Sequence, residues 1–396
     1  MSTLLFLTAA AIVFIASAEL GARWWIRRRT PYHVWSPGKR LEVRQDLFPE
    51  LEPRFRIEIN ADGERGGDVR GDEDGVYRIL VAGGSAVECF ALDQATTWPG
   101  VLERLLNHPE ALDALRAHRV HVGNIGRSGV GAAELDVIFE RVLPRYDRLD
   151  AIIVMVGPST AYHWFEEGAP PGRPPAVVPE RALFARNPQQ SFGWKPRAWA
   201  LIELVRRLRQ TLLRPLEVWE NPGAWQIAAR TMRAEATTIR TTAPDPSAVL
   251  SHFEHHYRRA LRRAMARAPR VIVARQPWFD REEYTAEEAG HFWHGGVGNV
   301  LKEKVSVYFS LDVINHVVSL MDQRIGTVAD ELGVQQVNLR PLLNQGLRHY
   351  YDHLHFTPEG ATVTAQALAA ALLRLSHYSG QTHSGRYRTA SLGLSR

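Results

Sequence analysis

Nine residues, Tyr77-Arg78-Ile79-Leu80-Val81-Ala82-Gly83-Gly84-Ser85, decide how this chain is read. A short apolar run closed by glycines reads as a buried strand that ends in an open turn. The strand delivers a serine to its carboxyl end, where open α/β sheets place their ligands. Outward from it, apolar runs and helical patterns alternate. Thr97-Trp98-Pro99 opens a helix, and a strand over 119–123 precedes a helix over 134–143. A strand over 151–156 follows. Helices over 251–268 and 311–332 precede strands over 271–274 and 334–339, and a helix over 358–375 closes the series. Five short strands with helical crossovers predict an α/β fold, a three-layer α/β/α arrangement around a parallel five-stranded sheet.

A nucleophilic serine needs a base, and Asp352-His353-Leu354-His355 supplies a candidate just ahead of the last helix. A carboxylate three residues before a histidine can orient the imidazole and balance its charge, so Ser85, His355 and Asp352 form a candidate triad, recognised by roles and not by chain order. Ser85 and Asp352 would also serve as helix caps, but capping does not account for the histidine at 355.

These residues resemble the blocks of the SGNH or GDSL-type hydrolases. Gly83-Gly84-Ser85 resembles the first block, and Asn124-Ile125-Gly126-Arg127-Ser128-Gly129 the second. Asp352-x-x-His355, with Phe356, Thr357 and Gly360, resembles the last. The strand expected before the third block ends in Gly157-Pro158-Ser159-Thr160, so Ser159 stands where the family carries an asparagine. The resemblance spans about residues 55–375, with an insertion at about 161–250. It implies an SGNH-like fold and a serine ester hydrolase acting on an acyl or acetyl ester of a glycan or lipid. Ser85 would be the nucleophile, His355 the base and Asp352 its partner. Backbone N–H groups of Ser85 and Gly129 would hold the oxyanion, with Ser159 as a substitute for the missing side-chain donor. No cofactor or metal is implied. The change at Ser159 also leaves open a relative that binds glycan or lipid without turning it over.

The 396 residues carry a net charge of +5, much of it arginine, and a single cysteine. One cysteine excludes an intramolecular disulfide framework, and Cys89 reads as a small buried hydrophobe. The arginines at 206, 207 and 209 and at 258, 259, 262 and 263 fall at helical spacing, as on a solvated face. No aromatic-lined basic groove or nucleic-acid module accompanies them. His252, His255 and His256 share a helix face without an acidic ligand pattern, and His291 and His294 read as a loop at the rim of the site. Gly126 to Gly131 is glycine-rich, but its order is wrong for a dinucleotide loop.

Residues 1–22 are apolar enough to cross a bilayer, and Trp24, Trp25 and Arg27–Arg29 suit a headgroup collar. Ala16-Ser17-Ala18 also fits a signal-peptidase site, and a core helix is the third reading. The lipid bilayer is thus an expected partner. The arginine collar favours a cytoplasmic catalytic domain, whereas the family resemblance implies one that faces the cell envelope. Residues 23–75 read as a linker and a small β extension containing a strand over 55–59, and 76–375 as the hydrolase-like domain. Within the insertion, 166–195 reads as loop, 197–213 as an amphipathic helix and 221–240 as another; the whole reads as a lid, a substrate wall or a surface elaboration. Residues 376–396 read as a polar, disordered tail.

Overall fold

The computed structural model describes residues 2–69 and 73–374; the tail expected over 376–396 lies outside the described residues. Ten strands occur among them: β1 (Arg40–Arg44), β2 (Arg54–Glu58), β3 (Val76–Gly83), β4 (Arg119–Asn124), β5 (Ala151–Met155), β6 (Leu216–Glu220), β7 (Thr238–Arg240), β8 (Arg270–Arg275), β9 (Val307–Phe309) and β10 (Gln335–Asn338). The principal helices are α1 (Ser2–Arg29), α2 (Ser85–Glu88), α3 (Trp98–Leu106), α4 (Pro109–Leu115), α5 (Ala132–Val142), α6 (Ser159–Glu166), α7 (Glu180–Leu183), α8 (Ala200–Leu213), α9 (Ala224–Ala234), α10 (Ser247–Met265), α11 (Ala286–Gly290), α12 (Leu311–Glu331) and α13 (Pro358–Arg374).

The central sheet is parallel, in the order β10-β8-β5-β3-β4. Its first strand in the chain, β3, lies between the second and the third, which creates a topological switch point at the carboxyl end of β3. Alternation along the strands feeds two cores. Leu80, Ala82, Ile152, Val154 and Val273 face a layer made by α5, α10 and α12. Ile79, Val81, Ile153 and Ile272 face α3 and α13. Both faces are covered, which is why these strands read as continuous apolar runs. Thr97 caps α3 as its sequence predicts, its Oγ1 accepting from the Gly100 N–H at 3.1 Å.

The β extension is a three-stranded sheet in the order β2-β1-β6. Its third strand comes from the insertion and pairs parallel with β1, Arg40 against Leu216 through Arg44 against Glu220. The helix expected over 221–240 is shorter: α9 ends at Ala234, and the β-branched Thr238-Ile239 continues as β7, paired with β9. The loop expected over 166–195 contains the single turn α7.

α1 is one helix, long and apolar enough to span a membrane. Its first half is exposed, with Leu4, Phe6 and Phe14 all above 70 %. Its last turns dock on α8 through Ala22 and Ile26 against Ala200. The Glu19 carboxylate accepts the backbone N–H groups of Ala200 and Leu201 at 2.9 and 3.0 Å, satisfying two of the unpaired donors at the start of α8.

Candidate active site

Strand register brings the sequence blocks together. Gly83 ends β3 opposite Met155 at the end of β5, and Val81 lies opposite Asn124 at the end of β4. A side chain on Gly83 would place its Cβ 1.7 Å from the Met155 carbonyl oxygen, so only glycine allows the chain to turn here toward Ser85. The short helix that begins at Ser85 is tied down from three directions. Asn124 Nδ2 donates to the Val87 carbonyl at 2.7 Å, and Trp98 Nε1 to Ala86 at 2.9 Å. The buried Arg65 guanidinium, delivered by the β extension, donates to the carbonyls of Glu88, Cys89 and Leu92 at 2.6–2.8 Å. Cys89 is buried, and burial pushes its thiol up to about 12, as a packed hydrophobe requires.

Ser85 Oγ lies 2.8 Å from His355 Nε2, and His355 Nδ1 lies 2.7 Å from Asp352 Oδ2. Asp352 is fully buried. Its Oδ1 accepts the backbone N–H groups of Leu354 and His355, and its Oδ2 also accepts from Trp293 Nε1 at 3.0 Å. Although burial opposes the charge, His355 and these donors hold the Asp352 carboxyl well below the usual range. The remaining positions converge on the same crevice. Gly129 adopts φ +77°, a left-handed turn suited to glycine, after Ser128, whose backbone N–H donates to the buried Glu88 carboxylate. Ser159 opens α6, with its Oγ 3.2 Å from where a Cβ on Gly84 would sit. Ser85, Gly129, Ser159 and His355 all line one cavity of about 530 Å³.

The sheet order with its switch point at β3, and the placement of these residues at the ends of β3, β4 and β5 and ahead of α13, give an α/β/α arrangement of the kind the sequence blocks lead one to expect. Solved structures similar to this chain include an acetylxylan esterase from Geobacillus stearothermophilus, 13 % identical with a TM-score of 0.38 over 76 % of this chain and 94 % of that one. A member of the lipolytic G-D-S-L family from Veillonella parvula is 10 % identical, with a TM-score of 0.40 over 76 % and 100 %. A G-D-S-L lipolytic protein from Desulfitobacterium hafniense is 11 % identical, with a TM-score of 0.37 over 74 % and 98 %. No protein-family model matches the sequence, and no curated protein matches it.

Further residues build this site beyond those in the sequence blocks. His294, expected in a loop at the rim, does lie in a loop that lines the cavity, but it is buried beside Asp352, 6.0 Å from the His355 ring, and burial holds its imidazole well below the ordinary range. Behind the site, Tyr162 donates to His353 Nδ1 at 2.6 Å, and His353 Nε2 lies 2.9 Å from Asn315 Oδ1. A hydroxyl donor on one side and an amide acceptor on the other define a neutral tautomer with its proton on Nε2. Burial lowers His353 to about 3, consistent with that neutral form. Arg230 of α9 donates to the Tyr351 carbonyl at 2.6 Å, so the insertion braces the loop that carries Asp352 and His355.

The insertion also forms part of the cavity wall. Trp219 and Trp225 come from it and line the cavity together with Phe48, Phe55 and Phe90. His294, Asp352 and His355 offer ligand atoms within 4.8 Å of one another. Both nitrogens of His355 are already engaged, one by Asp352 and one by Ser85, so the group fits proton transfer and not metal ligation. The His252 to His256 face of α10 belongs to an ion network in which Asp136 binds His256, Arg259 and Arg263.

Proposed function

We propose that this chain is a membrane-anchored serine ester hydrolase. The observation that carries the reading is the unbroken hydrogen-bonded line from Ser85 Oγ through His355 to Asp352. In this mechanism Ser85 attacks the ester carbonyl while His355 Nε2 takes its proton, and Asp352 stabilises the imidazolium. The backbone N–H groups of Ser85 and Gly129 receive the developing oxyanion, with the Ser159 hydroxyl as a third donor. His355 then protonates the departing alcohol, and a water molecule, deprotonated by His355, releases the acyl group from Ser85. The aromatic wall of the cavity favours an acyl or acetyl ester carried on a glycan or a lipid, whose bulk it would cover. α1 would hold the enzyme in the bilayer.

The replacement at Ser159 supports a second reading, a protein that binds such esters without turnover. A fluorophosphonate probe separates the two. Covalent labelling of the wild-type chain that disappears in Ser85→Ala is the expected result. A folded wild-type chain that stays unlabelled favours the binder. His355→Ala should reduce p-nitrophenyl acetate hydrolysis by a factor similar to Ser85→Ala, because members of a triad act as one unit.

A further inference from the structure

Arg23 of α1 reaches into a loop of the insertion about 170 residues away. Its guanidinium lies over the rings of Phe192 and Trp194, 5.9 and 5.7 Å from their centroids, and its Nη2 donates to the Gly193 carbonyl at 3.0 Å. The loop is closed on itself, Trp199 Nε1 donating to the Trp194 carbonyl at 3.0 Å. Held in this way, the Trp194 side chain has almost no cover; the residue is 91 % exposed. Lys195 and Arg197 beside it are exposed as well.

The height of the loop along α1 gives this exposure a meaning. The apolar stretch of α1 ends near Gly21, and Arg23 lies just beyond it, next to Trp24 and Trp25, which are 59 and 47 % exposed. At 1.5 Å per residue, a helix spanning the hydrocarbon with residues 2–21 would bring Arg23 and the loop to the headgroup layer. Indole rings favour that layer because it takes an apolar ring and an N–H together, and cationic side chains there meet lipid phosphates.

We infer that the Phe192–Trp199 loop is a second membrane contact, which inserts Trp194 into the headgroup interface beside Trp24 and Trp25 and sets Lys195 and Arg197 against anionic lipid. This rests on the reading of α1 as a membrane span. Two contacts at different azimuths around the helix would stop the catalytic domain from swinging freely and would fix its tilt over the bilayer. The occupant of the patch is thus the lipid surface itself, continuous with the lipid around α1.

The full-length chain in phosphatidylcholine vesicles containing phosphatidylglycerol provides the test. Cys89 is buried, so a thiol-reactive NBD dye goes to an introduced cysteine: Ala198→Cys in the loop, Ile12→Cys in α1 or Glu235→Cys on exposed α9 flank. The dye at 198 should emit to the blue and be quenched by headgroup spin-labelled lipid. The dye at 12 should be quenched by acyl-chain spin label, and the dye at 235 by neither. Adding Trp194→Ser should lower quenching at 198 about twofold or more without changing position 12. Quenching at 12 but not at 198 overturns the second contact and leaves the span standing. Quenching at neither overturns both. A blue shift at 198 that follows protein concentration and ignores spin-labelled lipid would show the patch to be covered by a second copy, and also overturns the inference.

Discussion

Ser159 and Trp293 differ in what each does for the proposed chemistry. Ser159 lies in the cavity with Ser85, but a hydroxyl is shorter than a carboxamide and its O–H rotates freely. A carboxamide held at this position would strengthen its contact as the oxyanion forms, and such preorganised donors are worth about 3 kcal/mol. Ser159→Asn should raise kcat on a small activated ester by about tenfold, with less effect on KM. An unchanged kcat in a folded variant would count against Ser159 as part of the oxyanion site. Trp293 acts through Asp352 as a positioning residue, its indole N–H being one of the donors on Oδ2. Trp293→Phe keeps an aromatic ring and removes that donor, a charged hydrogen bond worth about 1.5–3 kcal/mol. Steady-state kinetics should show kcat reduced about tenfold or more at nearly constant KM; a proportional rise in KM would instead make Trp293 part of the substrate wall. The sequence made Ser85, Gly129, Ser159, Asp352 and His355 legible because each sits in a short block beside a strand or helix end. It hid Trp293 and Tyr162, whose partners lie 59 and 191 residues away, where no local pattern reaches.

At the scale of elements, the turn after β3 is held by a residue outside the five-stranded sheet and its covering helices. Arg65 follows the β extension and spends its guanidinium on three carbonyls in the stretch after Ser85. Arg65→Met would remove the donor of the Glu88 and Leu92 carbonyls, at about 1–3 kcal/mol each, while the Cys89 carbonyl keeps the Leu92 N–H. Chemical denaturation should register a loss of about 3 kcal/mol or more, and fluorophosphonate labelling should slow in the fraction that stays folded. Full stability in the variant would mean that the turn holds itself. The central strands were readable because burial on both faces left unbroken apolar runs. β6 was not. Leu216-Glu217-Val218-Trp219-Glu220 is largely exposed, and it is a strand because β1 offers it an edge. The expected helix over 221–240 stops early for a related reason, since Thr238–Arg240 gains a ladder with β9 that no local window reveals.

For the whole molecule, buried neutral histidines contribute to the response to acid. Burial lowers His353 and His33 to about 3, and holds His294 well below its ordinary range. Each binds a proton more readily when unfolded. Their contribution is therefore complete above about pH 6.5 and declines as pH falls toward the folded values, by about 1.4 kcal/mol per unit and group. Urea midpoints should fall between pH 7 and 5 more steeply in the wild-type chain than in His353→Gln, the difference in slope corresponding to about one proton. Parallel slopes would show that His353 takes up its proton in the folded state.

The Glu19 cap on α8 also has a consequence for the time order of synthesis. Its carboxylate and the amide of Ala200 are 181 positions apart. At about 5–20 residues per second, the first helix leaves the ribosome roughly 10–40 s before its partner exists. Through that interval Glu19 and Ile26 have no docking face, and neither does the β1 edge that awaits Leu216–Glu220. A factor that sequesters the nascent N-terminal helix would therefore shield a half-built joint, and the late arrival of α8 and β6 would close helix and sheet in one step.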